Sequence, residues 1–307
     1  MSVFFSLLVN LLPLYILIGM GFIAARYLKV DRQSLASLAI FMFMPIVVFG
    51  FVVKLEFQAS YIMLPLIIFL VSIITGLVFL AVGKKVYGDN TANLMAMCCS
   101  MGNTGYFGLP LVFLFFDEQQ TAVYIFMMLG GSVYEATFGY YLAARGAFDV
   151  KTSLKKLAKF PALYAITAGF IANGLGYKPP ELFETYWAYF KGAYVVLGMM
   201  IVGAALANIN KLVFGPRFMA LVFLGKFVAW PALIYAFIAF DNAVLGWYPQ
   251  DIHNLILIMS LVPPAANIAA FAAQMNLKPE KAATTILVST VFALVYIPAM
   301  IWLLNIQ

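Results

Sequence analysis

Charge is scarce in this chain: Asp, Glu, Lys and Arg make up 10% of 307 residues, where a soluble domain carries roughly a quarter. Histidine occurs once, at His253, and cysteine twice, as the neighbours Cys98 and Cys99 in one apolar stretch. Adjacent cysteines within a helix cannot bridge each other, so they read as small core residues and leave the redox compartment open. No cluster of metal-ligating residues, no phosphate loop and no nucleophilic triad is spelled out, so no metal and no resident cofactor are expected. What is abundant is apolar surface, with 65% hydrophobic residues and a mean hydropathy of +1.00. Such a chain belongs in a bilayer.

Apolar runs near the 20 residues needed to cross the hydrocarbon alternate with charged or Pro/Gly-marked breaks. They predict ten spans: Val3 to Ala25, Ser34 to Val53, Ser60 to Val82, Thr91 to Phe115, Thr121 to Ala143, Leu157 to Leu175, Tyr186 to Leu206, Phe218 to Phe240, Ile252 to Gln274 and Pro279 to Leu304. The first run lacks a basic n-region and a small-residue cleavage site, and is read as a retained span. Connections after odd-numbered spans hold Arg26, Lys29, Arg32, Lys84, Lys85, Arg145, Lys151, Lys155, Lys156, Lys159, Lys211, Arg217, Lys278 and Lys281, against Lys54 and Lys178 after even ones. Positive charge stays in the cytoplasm, so both termini are expected outside, in the cell inner (plasma) membrane. The net charge of +6 thus reports topology and anionic lipid, not nucleic acid.

The basic connection from Ala144 to Lys156 divides the chain into residues 1–148 and 149–307. Pro13, Ile18, Gly21, Phe22, Ile23 and Ala24 recur at a constant offset as Pro161, Ile166, Gly169, Phe170, Ile171 and Ala172. Five spans per half is odd, so the second copy runs inverted across the membrane. A second match pairs Gly102-Asn103-Thr104-Gly105-Tyr106-Phe107-Gly108 with Ala266-Asn267-Ile268-Ala269-Ala270-Phe271-Ala272, in the fourth span of each half. Both spans contain helix breakers: glycines and Pro110 in span four, Pro263 and Pro264 in span nine. A broken helix at bilayer depth persists only where protein or a wet cavity satisfies its freed backbone groups, and transporters build substrate sites there. Asn103, Thr104 and Asn267 are the expected hydrogen-bonding side chains, with half-helix N-termini turned toward an anion.

These residues resemble the auxin efflux carrier family, which includes bacterial members and the plant PIN-type auxin transporters. Gly102-Asn103-Thr104-Gly105 with Gly108-Leu109-Pro110, and Pro263-Pro264-Ala265-Ala266-Asn267, look like its two crossover regions, and the likeness extends over essentially the whole chain. The resemblance implies a sodium/proton-antiporter-like, all-α integral membrane fold. Spans 1, 2, 6 and 7 would form a scaffold, and spans 3–5 and 8–10 a transport domain that moves like an elevator. It implies that Asn103 and Asn267 take the crossover asparagine positions and Pro110, Pro263 and Pro264 the crossover prolines, around a bound carboxylate. No large hydrophilic loop separates spans five and six, unlike the long plant carriers. Bacterial relatives are linked to small carboxylates such as malate, malonate or oxalate, and a small organic anion is the expected substrate. The lipid bilayer and a homodimer through the scaffold complete the expected partners, with sodium or proton coupling left open.

Ionisable residues within spans carry functional expectations of their own. At 1.5 Å per residue, Glu135 lies about 21 Å inward along span five and Lys226 about 12 Å outward along span eight, so in a core about 30 Å thick they share a layer. An ion pair between them would relieve two intramembrane charges. Lys191 is expected to snorkel outward, His253 to sit at the interface, Lys54 and Glu56 to be solvated, and Trp187, Trp247 and Tyr248 to form an interfacial belt. A channel and an integral membrane enzyme remain as alternatives, though no charged ring or convergent catalytic set is present.

Overall fold

The computed structural model describes residues 3–144, 151, 155, 158–207 and 212–306. The division expected at 148/149, Arg145, Lys156, Lys211 and Gln307 lie outside them. Among the described residues the chain is helical and forms no strand beyond one isolated bridge. In order the helices are α1 (Val3–Tyr27), α2 (Arg32–Val52), α3 (Ala59–Val86), α4 (Thr91–Ser100), α5 (Thr104–Phe115), α6 (Glu118–Tyr134, extended by Glu135–Gly139 and Tyr140–Ala143), α7 (Pro161–Gly174), α8 (Glu181–Ala207), α9 (Pro216–Leu245), α10 (Gln250–Leu261), α11 (Ile268–Gln274) and α12 (Pro279–Leu303).

Six of these, α1, α2, α3, α8, α9 and α12, are each long and apolar enough to cross a bilayer. Span four is divided into α4 and α5, span nine into α10 and α11, and span six is the 14-residue α7. Large apolar side chains such as Ile16, Phe41, Leu70, Ile74, Val228 and Val295 point outward from the long helices. An exposed apolar band of this extent suits lipid and not water. The protein is therefore a multi-pass membrane protein.

Prolines shape the long helices in a repeated way. Pro45, Pro110 and Pro231 each sit two residues beyond a widened, π-type turn, at Ala39–Phe43, Thr104–Gly108 and Leu224–Ala229. A proline lacks the N–H and its ring crowds the carbonyl one turn back, so the preceding turn relaxes to the wider pitch. Helix starts are fixed by carboxylates: Asp31 accepts from Ser34 N at 2.8 Å, and Asp117 with Gln120 forms a reciprocal capping box.

Two glycines occupy close helix contacts. Helix α1 lies along α8, with Gly21 pressed on the backbone of Met200, and α7 lies along α2, with Gly169 pressed on Val52. These glycines let α1 approach α8 and α7 approach α2 where a β-carbon would collide.

Candidate functional site

The two breaks meet. Helix α4 ends at Ser100 and α10 at Leu261, and the extended residues beyond them pair as a short antiparallel bridge at Gly102 and Pro264. Asn103 N–H donates to Pro263 O at 2.8 Å and Ala265 N–H to Met101 O at 3.0 Å. Each break thereby satisfies backbone groups that the other frees, which membrane depth demands. The chain re-enters helix at Thr104, where Gly108 N–H donates to Asn103 O at 3.0 Å and Tyr124 donates its hydroxyl to Thr104 O at 3.2 Å.

A cavity of about 640 Å³ opens beside this bridge. Asn103, Thr104, Asn267 and Glu135 line it from the breaks and α6, and Arg32 and Tyr194 from α2 and α8. The Asn103 side-chain amide and the Thr104 hydroxyl make no hydrogen bond among the described residues, although Asn103 is only 5% exposed. Asn267 differs from its repeat partner. Its Nδ2 donates to the Glu135 carboxylate, and its buried Oδ1 has no partner among the described residues. The two asparagines therefore do not present the equivalent donors expected of them. Pro110, Pro263 and Pro264 lie outside the cavity lining; they act on the backbone and do not touch its contents.

Glu135 and Lys226 do share a neighbourhood, both lining a smaller cavity of about 50 Å³ with Ser72, Ser100 and Thr104. The expected ion pair is not formed. The Glu135 carboxylate is engaged by Asn267, whereas the fully buried Lys226 ammonium lies 4.2 Å from the Trp230 ring centroid with no hydrogen-bond partner among the described residues. Depth along two helices says nothing about which way each side chain turns. Thr104, Glu135 and Lys226 all fall within π-type turns, a geometry concentrated at functional positions.

Other expectations are corrected at the same time. His253 is 1% exposed, and its Nε2–H donates at 2.9 Å to Asp241, a buried carboxylate that also accepts from Trp247 N–H and Tyr248 N–H. Trp187 and Tyr248 are buried, the former donating to Val47 O at 3.1 Å, and only Trp247 is exposed. Lys54 is paired, not freely solvated: it meets Glu184 at 2.5 Å and Glu118 at 3.5 Å, and Lys191 meets Glu118 at 3.0 Å. Both lysines stack on Trp187, at 4.2 and 4.1 Å from the ring centroid. Gln119 adds two hydrogen bonds to the same loop, donating to Lys54 O and accepting from Glu56 N–H, each at 2.8 Å. From sequence, Arg32 stands out only as a topological charge and Tyr106, Ser132 and Tyr194 do not stand out. All four line the large cavity.

A polytopic helical protein whose two helix breaks pair beside a polar-lined cavity falls in the class of membrane transporters. A family profile described as "Membrane transport protein" matches residues 6–301, and the chain belongs to that family, the auxin efflux carriers. It is 27% identical over 282 residues to an uncharacterized transporter of Methanocaldococcus jannaschii, covering 89% of each chain. It is 23% identical over 221 residues to a protein of Rhizobium meliloti named "Putative malonate transporter", covering 70% of this chain and 68% of that one.

Proposed function

We propose that this membrane transporter carries a small carboxylate across the cell inner membrane by a secondary, elevator-type mechanism. The observation that carries the reading is the cavity beside the crossed breaks, where the Asn103 amide and Thr104 hydroxyl are left without protein partners. A carboxylate there accepts hydrogen bonds from both and faces the N-terminal end of α5, whose dipole favours an anion. Such bonds to a charged group contribute about 1.5–3 kcal/mol each away from water. The malonate in the relative's name fits a ligand of this size and charge.

In this reading the ten spans form two inverted repeats, which the reciprocal seats of Gly21 on α8 and Gly169 on α2 support. Helices α1, α2, α7 and α8 are the scaffold, and the crossed breaks travel with the transport domain. With both termini outside, the mouth formed by Asp31, Arg32 and Gln33 opens to the cytoplasm. The ion pairs of Lys54, Glu118, Glu184 and Lys191 then close the outer side, making this the inward-facing state.

The test is uptake by proteoliposomes of a panel of radiolabelled mono- and dicarboxylates and indole acids, with and without sodium and pH gradients. Saturable uptake of a chemically unchanged small carboxylate, at rates far below channel conductance, is expected. Uptake of none of them, or ohmic anion currents, would remove the proposal.

A further inference from the structure

We propose that Arg32 is a second anion ligand in the large cavity and makes the transporter selective for dianions, small dicarboxylates, over monocarboxylates. This rests on the carboxylate reading above and adds the charge that the crossed breaks lack. Asn103 and Thr104 bring only neutral donors, and the sole charged side chain that the breaks and α6 add to the lining is the Glu135 carboxylate, which repels an anion. Arg32 supplies the opposite sign from a different element, the first residue of α2.

Its surroundings leave it unspent. The guanidinium is half-buried with Nε inaccessible, and it makes no hydrogen bond or ion pair among the described residues. The adjacent Asp31, which lines the same mouth, forms no ion pair with it among the described residues; its carboxylate accepts from Ser34 N–H and the Ser34 hydroxyl, each at 2.8 Å. The neutral Tyr106 phenol interacts with it electrostatically and lines the same cavity. A desolvated donor without a partner is unfavourable, and a planar guanidinium offers paired N–H groups matched to a carboxylate. A short dicarboxylate satisfies both ends at once, one carboxylate on Asn103 and Thr104 and the other on Arg32. A monocarboxylate of the same length leaves Arg32 as it is now.

Malonate and propionate, which differ by a carboxylate in place of a methyl group, provide the comparison. Their binding to the purified full-length protein is measured by calorimetry at neutral pH for wild type, Arg32→Gln, Arg32→Lys and Asn103→Ala. Wild type is expected to bind malonate about tenfold or more tighter than propionate, the value of one charge-assisted contact. Arg32→Gln should lower malonate affinity about tenfold or more and leave propionate within about twofold, with Arg32→Lys between. Asn103→Ala should weaken both acids together. Equal affinity of wild type for the two acids, or an Arg32→Gln change that is absent or the same for both, overturns the role of Arg32. If Asn103→Ala still weakens both acids in that case, the carboxylate site itself stands. Failure of malonate to bind wild type, or no effect of Asn103→Ala on malonate binding, overturns the site and the inference together. Arg32→Lys retains the positive charge and decides the matter should Arg32→Gln melt at a lower temperature.

Discussion

If the outer ion pairs hold the cavity closed on that face, loosening them should turn the site outward. Glu118 and Gln119 begin α6 and grip α8 and the loop after α2 through Lys54, Lys191 and the backbone at Lys54 and Glu56. The carboxylate of Glu118 is 51% exposed, so each of its ion pairs contributes only about 0.2–1 kcal/mol. The two Gln119 hydrogen bonds add about 0.5–1.5 kcal/mol each. Replacing both residues, Glu118→Gln with Gln119→Ala, removes on the order of 2 kcal/mol, a shift of about thirtyfold in the equilibrium. The assay is labelling of Ser132→Cys, a cavity residue, by a membrane-impermeant thiol reagent applied to either side of oriented vesicles. Native Cys98 and Cys99 are buried and silent. The parent should label from the cytoplasmic face and the double variant increasingly from outside. Acid should act in the same direction. Partial burial raises the Glu118 pKa, but the Lys191 hydrogen bond and the charges of Lys191 and Lys54 outweigh it and hold the carboxyl below its usual range. The closed latch is therefore fully stabilised above the ordinary carboxylate value of about 4.3 and loses that contribution as pH falls through the lowered value. Outside labelling that ignores both the double substitution and acid would refute the latch.

Two further substitutions examine the scaffolding of the site. Gly108→Ala places a β-carbon against the Tyr124 hydroxyl and Val262; because Tyr124 also ties down Thr104 O, overpacking should cost about 1–3 kcal/mol, read as a lower melting temperature together with weaker carboxylate binding. Asp241→Ala strands a buried His253 and two backbone N–H groups, so thermal stability should fall by about 2–4 kcal/mol, with Asp241→Asn, which keeps one acceptor, falling less. Melting curves of all three variants against wild type, with malonate binding measured for Gly108→Ala, decide both points.

Helix breaks were the legible part of this fold, since Pro263-Pro264 and the glycines around Asn103 act locally on the backbone and need no tertiary information. The position-matched glycines Gly21 and Gly169 were legible because a close helix approach constrains size at one residue. Side-chain direction was not. Glu135 and Lys226 were matched by depth alone, and the structure turns one to Asn267 and the other to Trp230. The position of His253 at the start of span nine suggests the interface, whereas its partner Asp241 lies near the end of α9 and only the chain reversal between α9 and α10 brings them together. Arg32 was hidden by its company, one arginine among many basic residues in the connections, distinguished only once the structure showed which of them faces a cavity. Thr104 and Lys226 carry a further local signal, since each lies in the widened turn that precedes a proline, Pro110 or Pro231.

The central claim is that a carboxylate binds at the crossed breaks, and uptake by proteoliposomes containing wild type or Asn103→Ala tests it most directly. With radiolabelled malonate, loss of one hydrogen bond to a charged group, about 1.5–3 kcal/mol, should raise the half-saturating concentration roughly tenfold or more while the melting temperature stays near that of wild type. Unchanged half-saturation in a folded Asn103→Ala protein would place the substrate elsewhere and contradict the account.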